Sequence, residues 1–268
     1  MTAPNAPRFS LVVPIYNEAD NVRALLDEVA AVLTPHGPFE ALLVDDGSRD
    51  DSRARMQQWK REHAAAWLRI VCLRKNCGQS AAVMAGVEQA RAAVVTTLDG
   101  DLQNDPRDLP AMIDLVLTGR ADAVVGVRRN RRDTFVRRVS SRIGNGVRNW
   151  ITGDRVTDAA CGIKAIRREL WLQVPRFAGM HRFMATLIRG RGGVVVERDV
   201  NHRPRAAGSA KYGIGNRALR GLLDCFVMRW FARRLPRARR LLDEAPSGPP
   251  PAPATGPARG AATGSARR

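Results

Sequence analysis

An α/β domain built on a doubly wound, mostly parallel sheet is the fold class the sequence predicts, and three observations carry it. Short apolar runs alternate with amphipathic stretches from Phe9 to about Val127. Each run closes on polar residues, as strands do in open parallel sheets, where ligands sit beyond the carboxyl ends. The chain of 268 residues, 44% of them hydrophobic, suffices for one such domain with a modest appendage and an ordinary core.

The predicted strands are FSLVVPIY (9–16), EALLVDD (40–46), LRIVCLR (68–74), AVVTTLD (93–99) and ADAVVGV (121–127). Helical segments begin near Asp20, Asp50, Gln79 and Pro106, so both faces of the sheet are covered. Pro14 falls at the end of the first strand, where its missing N–H leaves the ladder undisturbed. Beyond Val127 come an Arg-dense helical stretch (128–151), a segment Val156–Ile166 with no assigned element, a helix near 180–190 and a strand at 194–200. The loop NHRPRAAGSAKYG (201–213) leads into a last amphipathic helix at 214–235. The expected division is a flexible 1–8, a domain over 9–213, the helix 214–235, and a Pro/Ala/Arg-rich tail 236–268 without apolar periodicity, read as disordered.

The net charge of +18 and pI near 11.3 favour anionic partners: nucleic acid, lipid headgroups or phosphorylated substrates. Lysine occurs only as Lys60, Lys75, Lys164 and Lys211. An Arg-favouring base composition explains part of this, and makes each lysine that does occur mildly informative. The cysteines Cys72, Cys77, Cys161 and Cys225 form no CxxC pair, so neither a structural zinc site nor a disulfide framework is expected. No leader pattern is visible, and no stretch reaches the roughly 18–20 apolar residues of a spanning helix.

LDGDLQNDP (98–106) is the strongest single motif. An apolar strand ends in two carboxylates one residue apart, with an amide two positions on. Such a turn can present Asp99, Asp101 and Gln103 as hard oxygen ligands to Mg²⁺ or Mn²⁺, with substrate phosphates completing the shell. A lone D-x-D is common; its position on a rim with four other polar strand ends is what lifts it. On that rim Tyr16 can flank a flat group, and Asp45 and Asp46 offer acceptors to a base N–H or to ribose hydroxyls. For Asp20, Ser48 and Asp50, helix capping is a sufficient reason.

VVPIYNE, VDDGSRD, LRKNCGQSAAVMAG and TLDGDLQNDP resemble the GT-A domain of family 2 glycosyltransferases. VVGVRRNRRDTFVRRVSSRIGN, VTDAACGIKAIRRE, GMHRFMATL and HRPRAAGSAKYG narrow the resemblance to the polyprenyl-phosphate glycosyltransferases, over Phe9 to Arg234. The resemblance implies inverting transfer of a hexose from a UDP- or GDP-sugar to an undecaprenyl- or dolichyl-type phosphate, with Mg²⁺ or Mn²⁺. It implies that Pro14, Tyr16, Glu18 and Asp46 line the nucleotide pocket, and that Asp99, Asp101 and Gln103 form the metal and diphosphate group. It likewise implies that Arg128, Arg137 and Ser141 hold the lipid phosphate. Asp158 matches the acidic residue of the D-x-x-C/S-G segment, and Arg205, Ser209 and Lys211 match a mobile basic loop.

Physical chemistry is consistent with that assignment. Seven arginines lie between Arg128 and Arg142, and Arg orients phosphate bidentately as well as attracting it. One helix cannot aim all seven at one point, so Arg128 and Arg137 are the expected clamp and the others surface or membrane contacts. A phosphomonoester is largely dianionic above a second pKa of ~6 and needs no general base; Asp158 is therefore expected to position the sugar or an arginine. Lys211, in the Gly-flanked GSAKYG, is expected to close over the diphosphate.

On the last helix Leu219, Leu222, Leu223, Phe226, Val227, Trp230 and Phe231 form an apolar stripe flanked by arginines. The stripe suits a peripheral membrane contact at the cytoplasmic face of the plasma membrane, or equally packing on the domain's core; a separate membrane-protein partner is a further expectation. Nucleic acid is not an expected partner: no recognised motif is present and only 5% of residues are aromatic. A dehydrogenase is disfavoured by the absence of G-x-G-x-x-G after the first strand. The alternative within the class is a transferase acting on a saccharide acceptor in cell-envelope polysaccharide synthesis. A processive synthase would carry Q-x-x-R-W where this chain has Phe226-Val227-Met228-Arg229-Trp230.

Overall fold

The computed structural model describes residues 6–128, 135–204, 215–232 and 234; the side chains of 135–143, 215–222 and 232 lie outside the description. Seven strands form one sheet in the order β3-β2-β1-β4-β6-β5-β7. They are β1 (Phe9–Ile15), β2 (Phe39–Asp45), β3 (Leu68–Cys72), β4 (Val94–Thr97), β5 (Ala123–Val127), β6 (Lys164–Arg167) and β7 (Val195–Asp199). The helices are α1 (Ala19–Leu33), α2 (Ser52–Glu62), α3 (Gln79–Gln89), α4 (Leu109–Leu117), α5 (Phe135–Thr152), α6 (Arg168–Gln173), α7 (Met184–Gly190) and α8 (Gly215–Ala232).

The first four strands pair in parallel and place their carboxyl ends on one edge. β6 is the exception. It runs antiparallel to both β4 and β5, and so fills the space between two strands that point the same way. It lies almost wholly within Val156–Ile166, where no element is expected, because four residues carry too short a pattern to register. Buried apolar residues lie on both faces of the sheet, as the doubly wound reading requires. One layer joins α1, α4 and Trp59 of α2 to Leu11, Val13 and Leu43; the other joins α3, α6 and α7 to Val12, Leu42 and Val95.

Pro14 belongs to β1, opposite Val44 of β2. The β1–β4 ladder stops at Val12 and Thr97, so the ring nitrogen faces a side where no bond is required. Glu40 is fully buried at the opposite edge and takes four hydrogen bonds from three residues. It accepts from the Ser10 hydroxyl (2.7 Å), the Arg91 amide (2.6 Å) and side chain (2.8 Å), and Arg69 (3.0 Å).

α8 turns most of the described stripe outward and packs through two residues outside it. Its inward face is Cys225 and Met228, 6% and 1% exposed, with Phe231 packed beside them. Leu223, Phe226, Val227 and Trp230 remain more than half exposed, at 56%, 53%, 61% and 57%. Arg229 fastens the helix to α5 by donating to the carbonyls of Trp150 (3.2 Å) and Ile151 (2.7 Å). Leu219 and Leu222 lie outside the described side chains, as does the tail 236–268.

Candidate active site

The rim is assembled from loops that cross-brace one another. Asn17 sits at φ 51°, donates its amide to Ser48 Oγ (3.0 Å) and accepts the Arg49 amide (2.8 Å). Ser52 Oγ accepts the Glu18 amide (2.8 Å), and Asp50 accepts the Ala19 amide (3.1 Å) and the Ser52 amide (3.0 Å). Asp50 thus serves the first turns of α1 and α2 together. Capping describes it only in part, and Asp20 instead faces Arg55 at 3.4 Å. Glu18 accepts Asn21 Nδ2 at 2.6 Å.

Asp45 and Asp46 are 4% and 3% exposed, and backbone amides occupy them. Asp45 accepts the Ser48 amide (2.9 Å); Asp46 accepts those of Cys77 (2.7 Å) and Gly78 (2.8 Å). Burial pushes the Asp46 carboxyl up against the pull of those amides. The two acids therefore shape the turn after β2 and the loop before α3, a cost that the sequence reading, counting acceptors only, did not include.

At the end of β4, Asp99 accepts from Gln79 Nε2 (2.9 Å) and Asn104 Nδ2 (3.2 Å). Burial and the neighbouring Asp101 push its carboxyl above the usual range, with Lys164 and Arg128 pulling the other way. Asp101 accepts the Gln103 amide at 3.2 Å. Gly162 packs against Asp99, and a Cβ there would lie 2.0 Å from its Oδ2. Two crowded carboxylates suit a hard divalent cation. No group of three or more His, Cys, Asp or Glu among the described residues could hold a metal, so Gln103 and a substrate's phosphates would have to complete the shell.

Arg128, just past β5, makes a two-pronged pair with Asp158: Nε to Oδ2 at 2.7 Å and Nη2 to Oδ1 at 2.9 Å. Both side chains are close to buried, at 11% and 9% exposure. Burial alone would lower the guanidinium's pKa, and the bond and charge of Asp158 more than reverse that. The Arg128 cation is therefore permanent and aimed, and its field reaches Asp99. Of the other expected residues, Arg137 and Ser141 lie on α5 with side chains outside the described residues, and Arg205, Ser209 and Lys211 lie outside them altogether.

Several residues were not singled out as site residues by the sequence. A small, water-sized cavity is lined by Pro14, Gln79, Asp99, Lys164, Trp171 and His181, among others. Lys164 is buried, donates to the Cys161 carbonyl, and has its pKa lowered by burial. Its rarity was the one available signal. Arg203 donates its amide to the Gln103 carbonyl (2.8 Å) and its side chain to Glu28 and Asp105 (2.8 Å each), clamping the loop after Asp101 to the chain beyond β7. Nothing in its local sequence points to those partners.

The model of glycosyl transferase family 2 matches residues 10–174. A dodecaprenyl-phosphate galacturonate synthase from Rhizobium johnstonii is 39% identical over 229 residues, 84% of this chain and 67% of that protein. An undecaprenyl-phosphate 4-deoxy-4-formamido-L-arabinose transferase from Aeromonas hydrophila is 34% identical over 206 residues, 76% of this chain. The chain spans 63% of that second relative's length. Among solved structures, glucosyl-3-phosphoglycerate synthase from Mycobacterium tuberculosis with Mn²⁺, UDP-glucose and phosphoglyceric acid superposes with a TM-score of 0.62 at 18% identity, over 83% of this chain and 79% of that one. A Pyrobaculum calidifontis mannosyltransferase with GDP-mannose and Mn²⁺ gives 0.57 at 19% identity, over 89% and 79%.

Proposed function

The chain belongs to glycosyl transferase family 2, and from that premise we propose that it transfers a sugar from a nucleotide-diphosphate donor to a polyprenyl phosphate at a membrane surface. The observation that carries the reading is the sharing of one rim by the Asp99–Asp101 turn and the Arg128–Asp158 pair. An acidic site for a metal-bound diphosphate stands beside a fixed cation for a second phosphate. The two relatives' names both specify polyprenyl phosphate as acceptor, which supports the same acceptor here.

In this reading Tyr16, Glu18 and the turn shaped by Asp45 and Asp46 border the nucleotide, and Asp99, Asp101 and Gln103 would hold Mg²⁺ or Mn²⁺. That ion supplies neutralisation of the charge gathering on the departing diphosphate. Arg128 holds the acceptor phosphate in line with the anomeric carbon, opposing the repulsion between two anions. An acceptor oxygen forms the new bond to that carbon as the bond to the donor diphosphate breaks. The acceptor is largely dianionic at neutral pH, so no side chain has to remove a proton. Asp158 locks the Arg128 fork in orientation and is a positioning residue. Arg137, Ser141, Arg205, Ser209 and Lys211 are proposed to add to the clamp around the two phosphates.

The test is transfer of radiolabel from UDP-glucose, UDP-galacturonic acid, UDP-GlcNAc or GDP-mannose to undecaprenyl phosphate in detergent, with Mg²⁺ or Mn²⁺. Metal-dependent label in the organic phase, lost with Asp101→Ala, is the expected result. Metal-dependent nucleotide binding with no lipid product from any donor would move the acceptor to a saccharide.

A further inference from the structure

Trp171 of α6 is completely buried, and its indole Nε1–H has no hydrogen-bond partner among the described residues. An indole nitrogen only donates, and a buried donor without an acceptor bears the full cost of leaving water. Such a group in a native core calls for a partner. Lys164 of β6 is 6% exposed and makes one hydrogen bond, to the Cys161 carbonyl. An ammonium has three protons to give, so two are unspent. Both side chains line the small cavity that Asp99 also borders. Lys164 and Asp99 act on each other's charge, yet no ion pair or hydrogen bond joins them among the described residues.

The cavity leaves about 10 Å³ for the centre of a water molecule, which is the room one water needs. Other polar groups in its wall are engaged: Gln79 Nε2 donates to Asp99 at 2.9 Å, and Thr97 Oγ1 to the Gly162 carbonyl at 2.6 Å. Asp99 accepts from Gln79 and Asn104, and a carboxylate has lone pairs for a further bond. Two unspent donors and one acceptor thus border a space the size of a single water. An apolar occupant would leave both donors unpaired, and a cation would meet the ammonium. We propose that this cavity is a binding site for one ordered water, which accepts from Trp171 Nε1 and Lys164 Nζ and donates to Asp99. Three bonds are the usual complement of a buried water. The water ties Asp99 to β6 and α6, so Lys164 is a positioning residue that holds the carboxylate without touching it. The water site stands on packing and hydrogen bonding alone; its bearing on a divalent cation rests on the transferase reading above.

The test is a pair of high-resolution crystal structures of the metal-free protein, wild type and Lys164→Met. Methionine nearly matches lysine in length and has no proton to give. In wild type, one density peak is expected about 2.7–3.2 Å from Trp171 Nε1, Lys164 Nζ and an Asp99 oxygen. In Lys164→Met the peak is expected to vanish or to leave Asp99, with the carboxylate turning to another rotamer. A dry cavity in wild type, a peak out of reach of Asp99, or a variant that keeps both peak and rotamer would overturn the proposal. Proton NMR of wild type reads the site without any variant. The Trp171 indole Nε1–H is expected to cross-relax with a long-lived water, and the lack of that signal counts against the site. In transfer assays, Lys164→Met is expected to lower kcat about tenfold and to leave KM for the sugar nucleotide within about threefold, since placement and not binding is lost. An unchanged kcat, or a loss confined to KM, removes the positioning role. Wild-type crystals grown with Mn²⁺ and UDP or GDP that show the water but no ion at Asp99 bring down the metal reading and leave the water site standing.

Discussion

At the scale of single residues, the site is controlled by packing against Asp99. A methyl at Gly162 would overlap both carboxylate oxygens and displace them from any cation they hold. Gly162→Ala is expected to lower kcat about a hundredfold, the consequence of a misplacement near one ångström, in a protein that still folds; steady-state transfer kinetics with circular dichroism checks this. Asp99 also has a linkage signature. Its pKa is raised in the folded, metal-free protein, so the protonated form is favoured and stability falls as pH rises through that raised value. Asp99→Asn is thus expected to raise the melting temperature in EDTA at neutral pH by about 2–4 °C, and to abolish the further rise that Mn²⁺ with nucleotide gives wild type. Thermal melts in EDTA and Mn²⁺ read both signs.

Elements are held by a few buried charges that their own sequences do not advertise. Glu40 joins β2 to β1, β3 and the turn before β4, and though burial pushes its carboxyl up, the Arg91 amide, Ser10, Arg69 and Arg91 together hold it below 4.5. A depressed carboxylate stabilises the fold above its unfolded pKa, and that stability is lost as pH falls through the folded value. Glu40→Gln is expected to cost about 3 kcal/mol by urea denaturation at pH 7, with the gap to wild type closing on acidification below 4.5. Asp154 does comparable work for α5. It accepts from Thr186 (2.6 Å) and Arg189 (2.7 Å), while buried Arg148 donates to Thr186 (2.6 Å) and lies 5.3 Å from the Phe183 ring. This network fixes the angle at which the Arg-rich helix leaves the domain. α3 is seated by Gly86, where a Cβ would come within 2.4 Å of Val12 on β1.

Over the whole molecule, a net charge of +18 coexists with an apolar surface made by α5 and α8. Val147 and Trp150, 41% and 77% exposed, join the outward residues of α8, and Arg234 stacks 4.6 Å over Trp230. Among the described residues no helix is long and apolar enough to cross a membrane. A basic, aromatic-rich face of this kind suits the boundary of an anionic bilayer. Binding to vesicles containing phosphatidylglycerol is expected to weaken steeply between 50 mM and 500 mM salt, as screening shortens the reach of the arginines. Replacing Trp150 and Trp230 together by serine is expected to remove the salt-resistant remainder; vesicle co-sedimentation measures both.

Alternating apolar runs ending in acids and arginines were enough to determine the mostly parallel sheet and its polar rim, and the motifs at the strand ends carried the family resemblance. Those features repeat locally, strand by strand, and each is written in consecutive residues. Tertiary structure alone decided the insertion of β6, because strand pairing is a relation between distant segments. It alone decided that Asp45 and Asp46 are occupied by backbone amides, and that Arg128, 30 residues away, is the arginine that Asp158 holds. It turned Cys225 and Met228 of α8 inward and left the larger residues outside, a choice that periodicity cannot make when both faces carry apolar groups. It also brought Ser80 within 2.8 Å of His181 across 101 residues, a contact that neither local sequence announces. Chemistry encoded in one turn of chain is legible in the sequence; chemistry that needs two elements to meet exists only once the core has closed.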